Sequence, residues 1–238
     1  MRFLLALALL SALAACERAP DAPDADTPGV TTAAEVPPTT GGALDGVNPG
    51  FLGATAPEAA FNLGDGAVCY VYADYAVRVA PGGGPGELGE PRGDEVAVGA
   101  REGDGEAACA GLGDRVVSSA DSTEADTFAG VEGDVLFLDR ASGETGRGVV
   151  AVDLAAGDAV VLDEPYEGDT IEIENGMLRF GTLVRTTRAT SDLAGVDCPQ
   201  GDEFIENGLD VGIVQLVEFD IASRELNETD EVGCVPLG

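Results

Sequence analysis

The chain has 238 residues, with 44 Asp and Glu against 12 basic residues, all of them Arg; its formal net charge is −32, and it has no His, Lys or Trp. Without His there is no Ser-His-Asp or Cys-His arrangement and no imidazole zinc site. Without Lys there is no Schiff base, Ser-Lys dyad or phosphate-loop Lys.

Met1-Arg2-Phe3 places one positive charge ahead of an unbroken Leu/Ala run, Leu4 to Leu10, and Ser11-Ala12-Leu13-Ala14-Ala15-Cys16 follows. A short basic start, a short apolar run and a small-residue exit describe a secretory signal. The run is too short to cross a hydrocarbon core, which takes about 20 residues. Leu13-Ala14-Ala15-Cys16 resembles the lipobox of bacterial lipoproteins, a resemblance confined to residues 1–16. It implies removal of residues 1–15, diacylglycerol on the Cys16 sulfur, and a lipid anchor that makes the membrane a partner. At least two acyl chains would hold it, where one alone binds only marginally. The expected location is the cell envelope, periplasmic or surface-exposed, and Glu17 leaves inner and outer membrane both open.

Residues 16–50 follow the lipidated Cys with Ala, Pro, Thr, Gly and Asp and almost no large apolar side chain. Such a segment cannot bury enough surface to offset its ordering entropy, and Val36-Pro37-Pro38-Thr39 favours extended backbone. It is expected to be a disordered tether ahead of a body at 51–238.

The body holds 38 of the acids and 10 of the Arg, a net −28. It has no basic footprint to displace counterions from nucleic acid, and it repels anionic head groups. It also repels itself unless salt screens it, a balance resembling that of proteins from salt-loving bacteria. Thr55-Ala56-Pro57-Glu58 has the form of a capping box with Pro in the first turn, and predicts a helix of about two turns ended by Asn62–Gly66. From Ala67 the pattern is β. Val68–Tyr72 and Tyr75–Val79 are rich in branched and aromatic residues. Asp134–Leu138, Gly148–Leu154 and Ala159–Leu162 are short apolar runs set apart by Gly and Asp. Thr170–Glu174 alternates and turns at Asn175-Gly176 into Met177–Phe180, a hairpin signal. Gly181–Thr190 continues in strand-like residues, Val211–Leu216 reads as a covered central strand, and Val217–Ile221 as a half-exposed one.

Val150–Asp158 resembles Val217–Glu225, and Phe137–Glu144 is a looser third copy. A strand ending near Asp, then a small-residue turn, resembles the outer hairpin of β-propeller blades, although Asp139, Asp153 and Asp220 keep no single period of about 40–50 residues. The fold expected is all-β, an antiparallel sandwich or barrel of short strands with one short helix near the start. The alternative is a small or incomplete β-propeller-like meander.

With Cys16 taking lipid, four cysteines remain. Export favours two disulfides, and Cys69–Cys109 with Cys198–Cys234 joins neighbouring segments while leaving the middle untouched. Gly84-Pro85-Gly86-Glu87-Leu88-Gly89 has dinucleotide-fingerprint spacing, but Pro85 and Pro91 break the helix that motif requires. Gly103–Glu106 and Glu132–Asp134 offer oxygen ligands for calcium, without the EF-hand pattern; a solvated acidic surface is the preferred reading of both. No other cofactor is expected. The functional expectation is a non-catalytic envelope protein that binds an envelope protein or glycan, or supports assembly. A carboxylate-dependent glycan hydrolase is the rival, and would need a pocket with two convergent acids.

Overall fold

The computed structural model describes residues 48–82, 93–110, 112, 115–118, 125–142, 146–168 and 171–237. Cys16, the leader, the tether to residue 47 and Gly84–Gly89 lie outside the described residues. Three antiparallel sheets follow one another along the chain. The first is β1 (Ala59–Gly64), β2 (Ala67–Val71), β3 (Tyr75–Pro81), β4 (Asp94–Ala100) and β5 (Val116–Ser118). The second is β6 (Ala125–Glu132), β7 (Val135–Ser142), β8 (Gly146–Asp153) and β9 (Ala159–Tyr166). The third is β10 (Glu172–Glu174), β11 (Met177–Thr187), β12 (Asp210–Asp220) and β13 (Glu225–Leu237). In each sheet, strand order in space is strand order in sequence. The all-β antiparallel class expected from the sequence is therefore the one observed.

Tight turns set the registers. Asp65-Gly66 has φ of 51° and 81° and Asn175-Gly176 has 53° and 78°, the paired positive values that two-residue hairpins require. Asn175-Gly176 joins Glu174 to Met177 as its dipeptide predicts. The helix expected from Thr55 does not form, because residues 59–64 are strand β1 and the short helix of this sheet is α1, Ala107–Ala110. Tertiary partners take the capping groups. The Thr55 N–H and hydroxyl both donate to Glu132 Oε2, at 3.0 and 2.5 Å, and the Glu58 N–H donates to the Val71 carbonyl at 2.8 Å. Ala59–Asn62 then pairs residue by residue with Val68–Val71.

The sheets stack in three layers with the second in the middle. Leu136, Leu138, Val150 and Val152 face Tyr70, Tyr72, Val77, Val96 and Val98 of the first sheet. Val135, Phe137, Val149, Ala151 and Tyr166 face Leu178, Phe180, Val217 and Phe219 of the third. With both faces covered, β7 and β8 read as continuous apolar runs rather than as alternation. Just ahead of β1, Phe51 donates its N–H to Ala129 of β6 at 3.1 Å, and Leu52 accepts one from Ile173 of β10 at 2.7 Å. Gly53 closes this crossing at φ +82°, where a Cβ would lie 2.0 Å from the Ile173 carbonyl oxygen.

The three sheets share a repeated unit, visible in one recurring hydrogen bond. The first N–H after the third strand of the unit donates to the carbonyl that precedes the second. Arg101 donates to Asp74 at 2.8 Å, Leu154 to Asp134 at 2.8 Å, and Ile221 to Gly176 at 3.1 Å. β1 is thus an addition to the unit β2–β5. The likeness of Val150–Asp158 to Val217–Glu225 is structural: Asp153 Oδ1 accepts the N–H groups of Ala155 and Ala156, and Asp220 Oδ1 those of Ala222 and Ser223, all at 2.9 Å. The third copy differs, because Asp139 lies inside β7 and binds Arg147 and the Tyr166 hydroxyl. No clean period shows because residues 188–209, carrying a 3-10 turn at Thr190–Leu193 and helix α2 (Gly201–Glu206), are inserted between β11 and β12.

Arg224 Nε, in the last turn of the third sheet, binds Asp153 Oδ2 of the second at 2.8 Å. That hydrogen bond first, and the two turn N–H groups after it, hold the Asp153 carboxyl below its ordinary range against the opposing effect of burial. A folded-state value below the unfolded one contributes stability above an unfolded pKa of about 3.9, lost as pH falls through the folded value. Asp153→Asn is expected to be less stable than the parent at pH 7. The gap between their urea midpoints should close below about pH 4; a gap constant from pH 7 to 3 refutes the role.

Candidate functional site

In a stack of similar units, only the two end layers have an outer face to cover, and terminal units need caps. Here each end layer carries an insertion stapled to it by a disulfide. On the first sheet, α1 brings Cys109 to Cys69 of β2 (S–S 2.08 Å), packed with Val71, Ala76 and Ala108. On the third, the insertion brings Cys198 to Cys234 of β13 (S–S 1.86 Å), with α2 against β12 and β13. These are the two pairs chosen from chain proximity, and the middle sheet carries neither.

The caps differ in how completely they close. Cys69 and Cys109 are 0% and 8% exposed; Cys198 and Cys234 are half-buried. Around Cys234 lie two hollows. One, of about 290 Å³, has Val214, Leu216 and Val232 along its floor and Asp197 and Glu231 at its rim. It exists because two of its sheet positions, Gly181 and Gly233, have no side chain, whereas their paired neighbours Leu216 and Val214 do. The other, of about 400 Å³, lies between Phe204 of α2, Pro199 and Gln200 on one side and Val235 and Pro236 on the other. Cys234 lines both, and the insertion supplies a wall to each. Nothing in the periodicity of the sequence marked these residues; only the cysteine count pointed to this corner.

The electrostatics are one-signed. Each of the nine described Arg of the body lies within 4.0 Å of a carboxylate: Arg78, Arg101, Arg115, Arg140, Arg147, Arg179, Arg185, Arg188 and Arg224. Arg179 is shared by Glu174, Glu218 and the rim residue Glu231. The described cations are thus each committed to an acid of the same chain.

The acid loops singled out for calcium go elsewhere. Asp104 binds Arg101 at 3.3 Å, Glu132 holds Thr55, and Asp134 accepts the Tyr75 hydroxyl at 3.4 Å. Among the described residues, no group of three or more Cys, Asp and Glu converges to hold a metal. Burial pushes the Asp94 carboxyl up, opposed by the N–H of Phe128, but Asp94 sits between the first and second sheets and lines neither hollow. What the corner around Cys234 offers is an apolar floor, an acidic rim and a disulfide sulfur. Comparison with family models, curated proteins and solved structures finds no match to this chain.

Proposed function

We propose that this chain is a lipid-anchored envelope protein whose β body holds a partner on the outer face of its third sheet. The observation that carries the reading is the corner around Cys234. Two apolar hollows, one of them flanked by Asp197 and Glu231, on a body whose described Arg are all engaged by acids, complement a partner segment that presents aliphatic side chains beside a positive charge. Two disulfides in a chain of this size accord with an oxidising compartment. The leader and Cys16 supply the anchor, and residues 16–50 stand an anionic body away from anionic head groups.

Two experiments test this. A photo-crosslinking residue in place of Glu231 should give a discrete adduct in intact membranes, and one in place of Val160, exposed on β9 of the middle sheet, should not. Equal adducts from both, or none from position 231, refute the binding surface. Fatty-acid labelling should mark the parent and not Cys16→Ser, which should leave the membrane fraction; a Cys16→Ser chain still sedimenting with membranes refutes the anchor.

Salt tolerance is part of the same reading. With like charges crowding the surface, screening them should stabilise the compact state. The melting temperature is expected to rise between about 20 mM and 1 M NaCl, where the Debye length falls from roughly 20 to about 3 Å. A flat or falling curve overturns the expectation.

A further inference from the structure

We propose that the Cys198–Cys234 disulfide is a redox-operated catch on the third sheet, opened by a dithiol reductant under conditions that leave Cys69–Cys109 closed. Its functional consequence rests on the reading of this corner as a binding surface; its chemistry rests on access alone.

Attack on a disulfide needs a path for a thiolate to one of its sulfurs, and exposed disulfides are the labile ones. Cys69 and Cys109 lie in a buried cluster beneath Ala108 and are 0% and 8% exposed. Cys198 and Cys234 are half-buried, and Cys234 lines two open hollows. A reductant thiolate attacking the Cys234 sulfur forms a mixed disulfide and releases the Cys198 thiolate. The second thiol of the reductant then attacks its own sulfur in that mixed disulfide and frees Cys234. The reductant departs as its internal disulfide, and two electrons and two protons pass to the cysteine pair.

The catch has something to release. Gly201, the first residue of α2, stands against Cys198, since a Cβ there would lie 2.3 Å from the Cys198 sulfur. Without the bond, residues 188–209 keep one long backbone hydrogen bond to β13, from the Asp197 N–H to the Val232 carbonyl at 3.3 Å. At their start they also keep the hydrogen bonds that Arg185 and Thr187 of β11 donate to Asp192, both at 2.8 Å, with the exposed Arg188–Asp210 pair, and farther on the packing of α2. Exposed ion pairs of this kind add little. Asp197, Pro199, Gln200 and Phe204 are the walls of the hollows, so release of the insertion opens both at once. The closed caps keep the surface shaped in an oxidising compartment, and a reducing partner would dismantle it while the first sheet stays stapled.

The test uses the full chain in detergent. It is exposed to graded dithiothreitol, blocked with N-ethylmaleimide and mapped by peptide mass, with parallel digestion by a glutamate-specific protease. Cys198 and Cys234 are expected to take label at least about tenfold lower in dithiothreitol than Cys69 and Cys109. Cleavage after Glu203 or Glu206 of α2 should appear over the same range. A Cys198→Ser/Cys234→Ser chain should be cleaved there without reductant while keeping the β circular-dichroism signal of the parent. Simultaneous labelling of all four cysteines, or labelling of Cys198 and Cys234 with no new cleavage in α2, overturns the catch. Neither readout depends on the cross-link from position 231, so loss of that adduct sinks the binding surface and leaves selective opening standing.

Discussion

Replacing Cys69 and Cys109 together with Ala is expected to lower the unfolding free energy by about 5 kcal/mol, about 4 of it from chain restriction. The bond closes a 40-residue separation, and in the chain-entropy account a loop of that length restricts the unfolded ensemble by about 4 kcal/mol. The sulfurs also fill the space between α1 and β2 beside Val71 and Ala76, so truncating both leaves a small void that adds about 1 kcal/mol. In a body of this size the combined loss corresponds to a fall in melting temperature of about 10–20 °C. Cys198→Ala/Cys234→Ala removes a bond of nearly the same separation, 36 residues, without emptying a buried cluster. It should therefore be the milder of the two by about the packing component. Urea denaturation of the two double variants under oxidising conditions decides this. A milder loss from Cys69→Ala/Cys109→Ala than from the other pair would mean that the first cap contributes little beyond chain restriction.

Arg140→Ala is expected to cost about 3–4 kcal/mol, because it leaves a buried carboxylate without a counter-charge. Arg140 reaches Asp126 of β6 through Nε and Nη2, at 2.7 and 3.3 Å, and Asp163 of β9 through Nη1, at 3.1 and 3.0 Å. Arg140 is paired with Gly148 of β8. The Asp126 side chain is 8% exposed and that of Asp163 is 55% exposed, so water can take over for Asp163 and not for Asp126. Hence Asp126→Leu/Arg140→Leu, which removes the buried pair together, should recover most of what Arg140→Ala loses. Urea midpoints of the parent, the single and the double variant measure this. A loss below about 1 kcal/mol in Arg140→Ala would show that Asp126 is neutralised by other means.

What was legible, and what was not, follows burial. β2, β3, β7, β8 and the β10–β11 hairpin were readable because they are covered strands with branched or aromatic residues, or because their turn demands Asn-Gly. β13 was not, although it is the longest strand at 13 residues. Its Glu225, Glu228, Asp230, Glu231 and Pro236 are what an edge strand carries to discourage further pairing, and that composition is hard to tell from a loop. β6 was missed because Gly130 sits in a bulge between Phe128 and Val131 and breaks the alternation. Thr55–Glu58 misled because its capping groups found stronger partners in Glu132 and β2 than a short helix would have offered. The hollows beside Cys234 were invisible because Gly181 and Gly233 are 52 positions apart in sequence and meet on one sheet face.

By itself the sequence determined the β class, the anionic surface, the absence of His and Lys chemistry and the cysteines available for pairing. Each of these depends on composition or on neighbours a few residues apart. The stacking of three meanders with the second one inside, the stapling of an insertion to each end sheet, and the difference in access between the two staples were decided only by tertiary structure. They depend on which side chains from distant strands exclude water together, and local pattern carries no record of that.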